Sequence, residues 1–260
     1  MKIVVCVKQV PDTSEVRIDP VTGTMIREGV ASIINPDDLS GLEAALRLKD
    51  LHGAEVIALS MGPLQADNAL RETIAMGVDR AILLTDRAFA GSDTWATSLS
   101  LAKAIERLQP DLIITGRQAI DGDTAQVGPQ IAEHLGIPSV AYVNHIALEE
   151  GHMIVDRMFE DGFQRLKVKT PCLLTVLKEI NAPRYMRVGR IYGAFRPELV
   201  EIWDASLLGL NPTELGLKGS PTKVKKSYTK GVKTAGKMFE VEPKEAAKVI
   251  LDKLKEQYII

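Results

Sequence analysis

Cysteine is scarce in this sequence of 260 residues, and its scarcity excludes several classes of protein. With only Cys6 and Cys172, the chain can form neither a disulfide framework nor a four-cysteine zinc site. The histidines do not show the spacing of metal ligands either. We therefore expect no metal site, and we place all four histidines on the surface or in loops: His52, His134, His145 and His152.

Long hydrophobic runs and an excess of one charge are also missing. No apolar run approaches the roughly 18 residues of a membrane span, and the N-terminal run is bounded by Lys2 and Lys8, unlike a secretory signal. We therefore expect a cytoplasmic protein. The 32 basic and 34 acidic side chains nearly balance and aromatic residues are 5%, so we expect no nucleic-acid partner. The seven lysines from Lys218 to Lys237 fit a solvated arm or a contact with an acidic partner.

Several common motifs are absent as well. The first apolar run is not followed by Gly-x-Gly-x-x-Gly, and no Gly-x-x-x-x-Gly-Lys-Ser/Thr occurs. Ordinary Rossmann and P-loop assignments therefore fail. No serine elbow or cysteine–histidine motif indicates a hydrolase.

The first 138 residues alternate strand-like runs with helical patterns. The runs are short and apolar, as in strands covered on both faces: 3–7, 56–61, 81–84 and 112–115. Helices are expected to begin near Asn35, Pro63, Asp93 and Asp123. The third helix should turn Trp95 inward, and the fourth should reach Leu135 with a bend at Pro129. The alternation predicts an α/β fold with a parallel sheet.

Two segments interrupt this alternation. An excursion of about 24 residues follows the first strand, and its runs 16–19 and 24–26 predict a small hairpin. After Pro138, three runs predict antiparallel strands within about 139–170, and the buried run 173–177 is expected to return to the main sheet.

The last part of the chain has little apolar core of its own. Beyond about Asn181, glycine and proline interrupt short pieces, and only Glu242 to Tyr258 shows a helical stripe. We expect an α/β domain over 1–190 and a C-terminal arm over 191–260. Because such an arm needs another surface to lie on, we expect a partner chain.

The segment Gly116–Val127 is the most informative for function. It follows an apolar strand and opens a helix at the carboxyl edge of the predicted sheet, where such folds bind ligands. Asp121 and Asp123 could accept hydrogen bonds from ribose, and the helix start could bind phosphate. A polar loop with an aspartate cap would show the same spacing, so both interpretations stay open.

Two further loops should face the same edge of a parallel sheet. The segment Asn35–Asp38 begins the first helix, and Ser60–Pro63 joins the second strand to the second helix. Each loop taken alone is explained by helix capping, whereas three converging loops favour a pocket. Cys6 would lie on its floor, although a small core residue is the more common role for a free cysteine.

These segments resemble the β subunit of electron transfer flavoproteins, and the resemblance covers essentially the whole chain. It is carried by six motifs in order: Cys6–Asp12, Asn35–Pro36, Met61–Pro63, Ala75–Arg80, Gly116–Val127 and Ala182–Tyr185. The resemblance implies an adenine-nucleotide-binding, Rossmann-like fold that pairs with a larger α subunit carrying FAD. We expect oxidoreductase activity only within that heterodimer and its dehydrogenase complex.

The cofactor of the β subunit differs between two branches of this family. One branch holds AMP as a structural nucleotide, whereas the electron-bifurcating branch holds a second FAD that accepts hydride from NADH. The AMP branch typically has a third acid at the position of Gly122, so this loop resembles the bifurcating version. The cofactor contacts implied by the resemblance are Cys6, Asn35, Pro36, Asp37, Asp38, Met61, Gly62, Gly116, Arg117, Gln118, Ala119, Ile120, Asp121, Gly122, Asp123, Thr124, Ala125, Gln126 and Val127.

The resemblance also implies partners. The segment from about Leu177 to Arg190 resembles the loop that docks on a flavin-dependent dehydrogenase, with Pro183, Arg184 and Tyr185 as contacts. The arm after residue 190 would lie on the α subunit, and a bifurcating complex would reduce a low-potential acceptor such as ferredoxin. Two alternatives remain: an ATP-binding enzyme or sensor of a related fold, and a structural partner without nucleotide.

Overall fold

Nine strands form one sheet in the computed structural model, which describes residues 1–12, 17–18, 25–26, 31–196, 198–223 and 236–260. The spatial order is β11-β10-β9-β12-β8-β1-β6-β7-β13. The sheet strands are β1 (Lys2–Cys6), β6 (Glu55–Met61), β7 (Arg80–Leu84), β8 (Leu112–Gly116), β9 (Ser139–Glu149), β10 (His152–Phe159), β11 (Gly162–Val168), β12 (Cys172–Val176) and β13 (Val200–Trp203).

The centre of the sheet is parallel, as predicted. Val4 of β1 lies opposite Ile57 of β6 on one side and Ile113 of β8 on the other. All three side chains are buried because helices cover both faces of the sheet. The carboxyl ends of β1, β6 and β8 therefore meet at one edge.

Two helices cover each face of the sheet. The helices α1 (Pro36–His52) and α2 (Asp67–Met76) share one apolar cluster with Ile3 and Val5. The helices α3 (Thr94–Leu108) and α4 (Val127–Leu135) share the other cluster with Val4 and Ile57. The four predicted helices are confirmed. Short helices follow later in the chain: α5 (Val188–Ala194), α6 (Ala205–Leu208) and α7 (Gly216–Gly219).

Three details of these helices were predicted wrongly. The fourth helix begins at Val127 rather than Asp123, because Asp123 and Ala125 both have a positive φ that a right-handed helix does not permit. Pro129 consequently falls in the first turn, where its missing amide costs no hydrogen bond, and no bend is required. Trp95 is 45% exposed rather than buried, and its ring packs edge-on against His134.

The antiparallel addition is confirmed. The strands β9, β10 and β11 pair antiparallel, and β12 inserts between β9 and β8 and pairs parallel with both. The turn between β9 and β10 is made by Glu150 and Gly151, which both have a positive φ. The buried run 172–176 thus joins the antiparallel strands to the parallel centre.

The sheet does not end at the predicted boundary of residue 190. The strand β13 pairs parallel with β7, and Leu208 and Leu215 are buried in the apolar cluster of α3 and α4. The larger compact unit consequently comprises 1–17 and 26–225. The alternation of Val200 and Ile202 was too short to identify this strand among the surrounding glycines and prolines.

A smaller unit comprises Ile18–Met25 and Lys226–Ile260. Its helix α8 (Pro243–Glu256) has no buried side chain.

Two further pairs of short strands lie outside the nine-stranded sheet. The strands β3 (Arg17–Ile18) and β4 (Met25–Ile26) pair with each other, as do β2 (Gln9–Pro11) and β5 (Ser32–Ile34). The remainder of the predicted hairpin and most of the lysine-rich stretch lie outside the described residues. None of the helices built from the described residues is long and apolar enough to cross a bilayer.

Candidate functional site

Asn35 joins the first helix to the loop that follows β8. Its side-chain amide donates to the carbonyl of Gln118 at 2.9 Å, and its Oδ1 accepts from the amide of Ile120 at 3.1 Å. Asn35 is fully buried, and its side chain makes no capping hydrogen bond to the backbone of its own helix. The capping interpretation of its side chain is therefore wrong. Asn35 instead fixes the middle of the 116–127 loop against the start of α1, which Pro36 opens.

Asp38 ties the ends of two neighbouring strands together. Its two carboxylate oxygens accept from the amides of Lys8 and Gly116, each at 2.9 Å. Burial raises the pKa of Asp38 to about 7, although these hydrogen bonds oppose the rise. A Cβ on Gly116 would overlap the Asp38 carboxylate, so this close approach requires glycine.

Asp37 and Arg117 place unsatisfied polar atoms at the same edge. Arg117 Nε lies 3.6 Å from Asp37 Oδ2, and neither buried atom has a hydrogen-bond partner among the described residues. Burial raises the pKa of Asp37, while the Arg117 charge opposes this shift. Buried polar atoms of this kind normally find a partner, so they indicate a place where a polar ligand can bind.

Lys8 belongs to the site but was not assigned to it from the sequence. Its Nζ lies 2.7 Å and 2.8 Å from the two carboxylate oxygens of Asp121. This ion pair links the end of the first strand to the 116–127 loop. A lysine directly after a strand looks like an ordinary surface charge. Its place in the Cys6–Asp12 motif was the signal that could have identified it.

The turn of the loop presents backbone amides to solvent. The amides of Gly122 and Asp123 donate back to the carbonyl of Ala119. Within the described part of the chain, those of Thr124, Ala125 and Gln126 donate to no carbonyl or side chain. They lead directly into the first turn of α4, where the amides of Val127 and Gly128 also donate to no acceptor among the described residues. This series of amides can bind an anion such as a phosphate.

Two side chains of the turn are held by their neighbours. Gln118 Nε2 donates to Asp123 Oδ1 at 2.8 Å, and Thr94 Oγ1 donates to Gln126 Oε1 at 3.0 Å. Asp123 is exposed and sits outside helix α4, so the predicted aspartate cap at this position is wrong. Its second oxygen accepts no hydrogen bond from the described residues.

The remaining predicted contacts lie near this edge with different roles. Burial and the Asp38 charge raise the pKa of the Cys6 thiol to about 12, so it is protonated at neutral pH and is not a nucleophile. Met61 is half-buried at the end of β6. The amide of Gly62 donates to the carbonyl of Leu84, and no described hydrogen bond joins it to the 116–127 loop.

The predicted docking residues form a separate group. Arg184 faces inward and binds Glu43 of α1, whereas Tyr185 is 96% exposed. Pro183, directly before them in the sequence, is half-buried. Among these three residues, Arg184 makes an internal contact, whereas Tyr185 has an exposed side chain.

Comparison with known proteins identifies the family of this chain. The family model described as electron transfer flavoprotein domain matches residues 22–205. The chain is 58% identical over 260 residues to the electron transfer flavoprotein subunit beta of Clostridium acetobutylicum, with both chains wholly covered. It is 54% identical to caffeyl-CoA reductase-Etf complex subunit CarD of Acetobacterium woodii and 47% identical to acryloyl-CoA reductase electron transfer subunit gamma of Anaerotignum propionicum, again over the whole of each chain. The chain belongs to the electron transfer flavoprotein family, among its β subunits.

Proposed function

We propose that this chain is the FAD-binding β subunit of an electron-bifurcating electron transfer flavoprotein. With its α subunit it would take electron pairs from NADH in the cytoplasm. One electron would pass to a low-potential acceptor such as ferredoxin and the other to a flavin-dependent dehydrogenase. The FAD would supply the redox chemistry, and the chain would bind and orient it.

The edge formed by the three loops fits the diphosphate of such a cofactor. The free amides of Thr124, Ala125 and Gln126 can donate to phosphate oxygens, and the adjacent start of α4 adds a partial positive charge. Arg117 Nε is a buried donor without a hydrogen-bond partner among the described residues. Asn35 and Asp38 keep this loop in place by hydrogen bonds to its backbone.

The observation that carries the choice of FAD over AMP is the environment of Gly122. Its φ is not positive, so the backbone does not demand glycine there. A Cβ on Gly122 would meet no atom within 4 Å, so the fold has room for a side chain. Glycine at this position leaves this space empty and adds no third carboxylate beside Asp121 and Asp123. Both effects favour FAD, which is larger than AMP.

The partners follow from the relatives and from exposed surfaces. One relative is named as a subunit of a caffeyl-CoA reductase-Etf complex, and another as an electron transfer subunit of acryloyl-CoA reductase. These names support a dehydrogenase partner of that chemistry. Helix α8 exposes apolar side chains that need a surface to cover them, and we assign that role to the α subunit. The segment 177–190 would dock on the dehydrogenase.

Flavin counting tests this proposal. The α and β subunits are co-expressed, the heterodimer is purified, and the nucleotides released by denaturation are separated and quantified. We expect two FAD and no AMP per heterodimer. One FAD together with one AMP would reject the bifurcating assignment and support the AMP-binding alternative.

A further inference from the structure

The segment after β12 is attached to helix α1 at two successive points. Ser40 Oγ donates to the carbonyl of Lys178 at 3.0 Å, and the side-chain amide of Asn181 donates to the carbonyl of Ser40 at 3.0 Å. Ser40 lies one turn beyond Asp37, so the segment starts beside the candidate cofactor edge. Its first residues thus follow the same helix that carries Asp37 and Asp38.

The third attachment is a buried ion pair. Glu43, a further turn along α1, is buried and accepts from Arg184 Nε at 2.7 Å and from the Arg184 amide at 3.1 Å. Arg184 Nη2 also lies 2.8 Å from Asp50 at the end of the helix. Burial alone would raise the pKa of Glu43, but the Arg184 and Arg47 hydrogen bonds hold it below its usual range.

The segment is attached again on the far side of its exposed part. The amide of Arg187 donates to the carbonyl of Ala75 in α2, and helix α5 then packs against α2. Between the two attachments lies Tyr185, which is almost completely exposed, and Tyr192 of α5 is exposed as well. The segment therefore bridges α1 and α2 and presents aromatic side chains outward.

We propose that Glu43 and Arg184 are positioning residues that hold Tyr185 in the conformation that binds the dehydrogenase. Arg184 acts through Glu43 and is not itself a contact with that partner. This rests on the proposed function of the segment as a docking surface. A docking loop ordered in advance binds more tightly because less conformational entropy is lost on association.

The experiment uses the αβ heterodimer and its partner dehydrogenase. Glu43→Gln, Arg184→Gln and the double variant are compared by dissociation constant and by amide hydrogen exchange over 178–187. We expect each single variant to raise the Kd about tenfold and to speed exchange in this segment, and the double variant to add little more. Arg47→Ala is the matched control, because it removes a guanidinium from Glu43 without touching the segment.

Two results would overturn the inference. Unchanged hydrogen exchange in Glu43→Gln would show that the pair does not order the segment. Fully additive effects on the Kd would show that Arg184 contacts the partner directly. The variant Tyr185→Ala separates these failures from that of the docking proposal, because unchanged dehydrogenase binding in Tyr185→Ala would reject the segment as a docking surface.

Discussion

Among individual residues, Asp38 links the stability of the fold to pH. Its carboxylate is buried against the strand ends, and its pKa of about 7 lies above the ordinary value of 3.8. Between pH 3.8 and about 7, Asp38 therefore carries a proton in the folded chain but not in the unfolded chain. The stabilisation from this group is fully present below the ordinary pKa and is lost as the pH rises through about 7.

The variant Asp38→Asn tests this coupling. Asparagine does not titrate, so the thermal midpoint of the heterodimer should vary less between pH 5 and pH 8 in the variant than in the wild type. The midpoint is measured by differential scanning calorimetry at matched ionic strength. The variant should also be less stable at pH 5, because one of the amides of Lys8 and Gly116 loses its acceptor. Equal pH dependence in the two proteins would contradict the assignment.

Gly122 offers a second test at single-residue resolution. Asp at this position would add a third carboxylate beside Asp121 and Asp123, where the cofactor's diphosphate is proposed to bind, and like charges repel. We expect Gly122→Asp to reduce FAD from two to one per heterodimer, with an unchanged circular dichroism spectrum. Gly122→Ser is the neutral control and should retain both flavins. Loss of FAD from the serine variant as well would refute the charge argument.

For the secondary-structure elements, hydrophobic patterning predicted most of the architecture. The strands β1, β6, β7 and β8 are short apolar runs. They do not show the alternation of polar and apolar residues that would indicate strands with one solvent-exposed face. Helix boundaries were predictable where glycine fixes them, as at Gly53, whose φ of 68° ends α1. The start of α4 was not predictable, because the left-handed conformations of Asp123 and Ala125 occur at non-glycine residues, where the sequence carries no signal for them.

The candidate site shows the same division between local and long-range information. The loops were predicted from their place after parallel strands. The contacts that join them were not, because Asn35 lies more than 80 residues from Gln118 and Ile120 in sequence. A side chain that looks like a helix cap cannot be recognised as a tertiary link from its own neighbours. Lys8 was missed for the same reason, since its partner Asp121 is also distant.

Asn35 therefore provides a prediction about how α1 and the loop act together. Asn35→Ala removes two hydrogen bonds, to the partly buried amide of Ile120 and carbonyl of Gln118, at a combined cost of about 1–3 kcal/mol. We expect a lower free energy of unfolding and faster loss of FAD from the β subunit. Stopped-flow release of FAD, detected by its fluorescence, measures the second effect.

The matched control for this variant is Thr94→Ala. It removes the hydrogen bond to Gln126 at the outer, exposed end of the same loop and leaves the Asn35 contacts intact. Its effect on stability should be small. An effect as large as that of Asn35→Ala would show that the loop is not fixed chiefly by α1.

At the level of the whole molecule, the two compact units differ in how they are stabilised. The larger unit contains the nine-stranded sheet and both apolar clusters. The helix α8 of the smaller unit buries no side chain. Its adjacent apolar residues Ile250 and Leu251 are 59% and 43% exposed. Exposed apolar groups of this kind gain stability when a partner covers them.

The charge variants Ile250→Asp and Leu251→Asp test whether α8 binds the α subunit. Because neither side chain contributes to the core, the β chain should still fold, while the double variant should fail to co-purify with a tagged α subunit. Burying two carboxylates in an apolar interface is strongly unfavourable. Lys248→Asp changes one charge at another exposed position of the same helix and should co-purify normally. Normal co-purification of the double variant would place the α-subunit contact elsewhere, and the exposed apolar residues of α8 would then require a different partner.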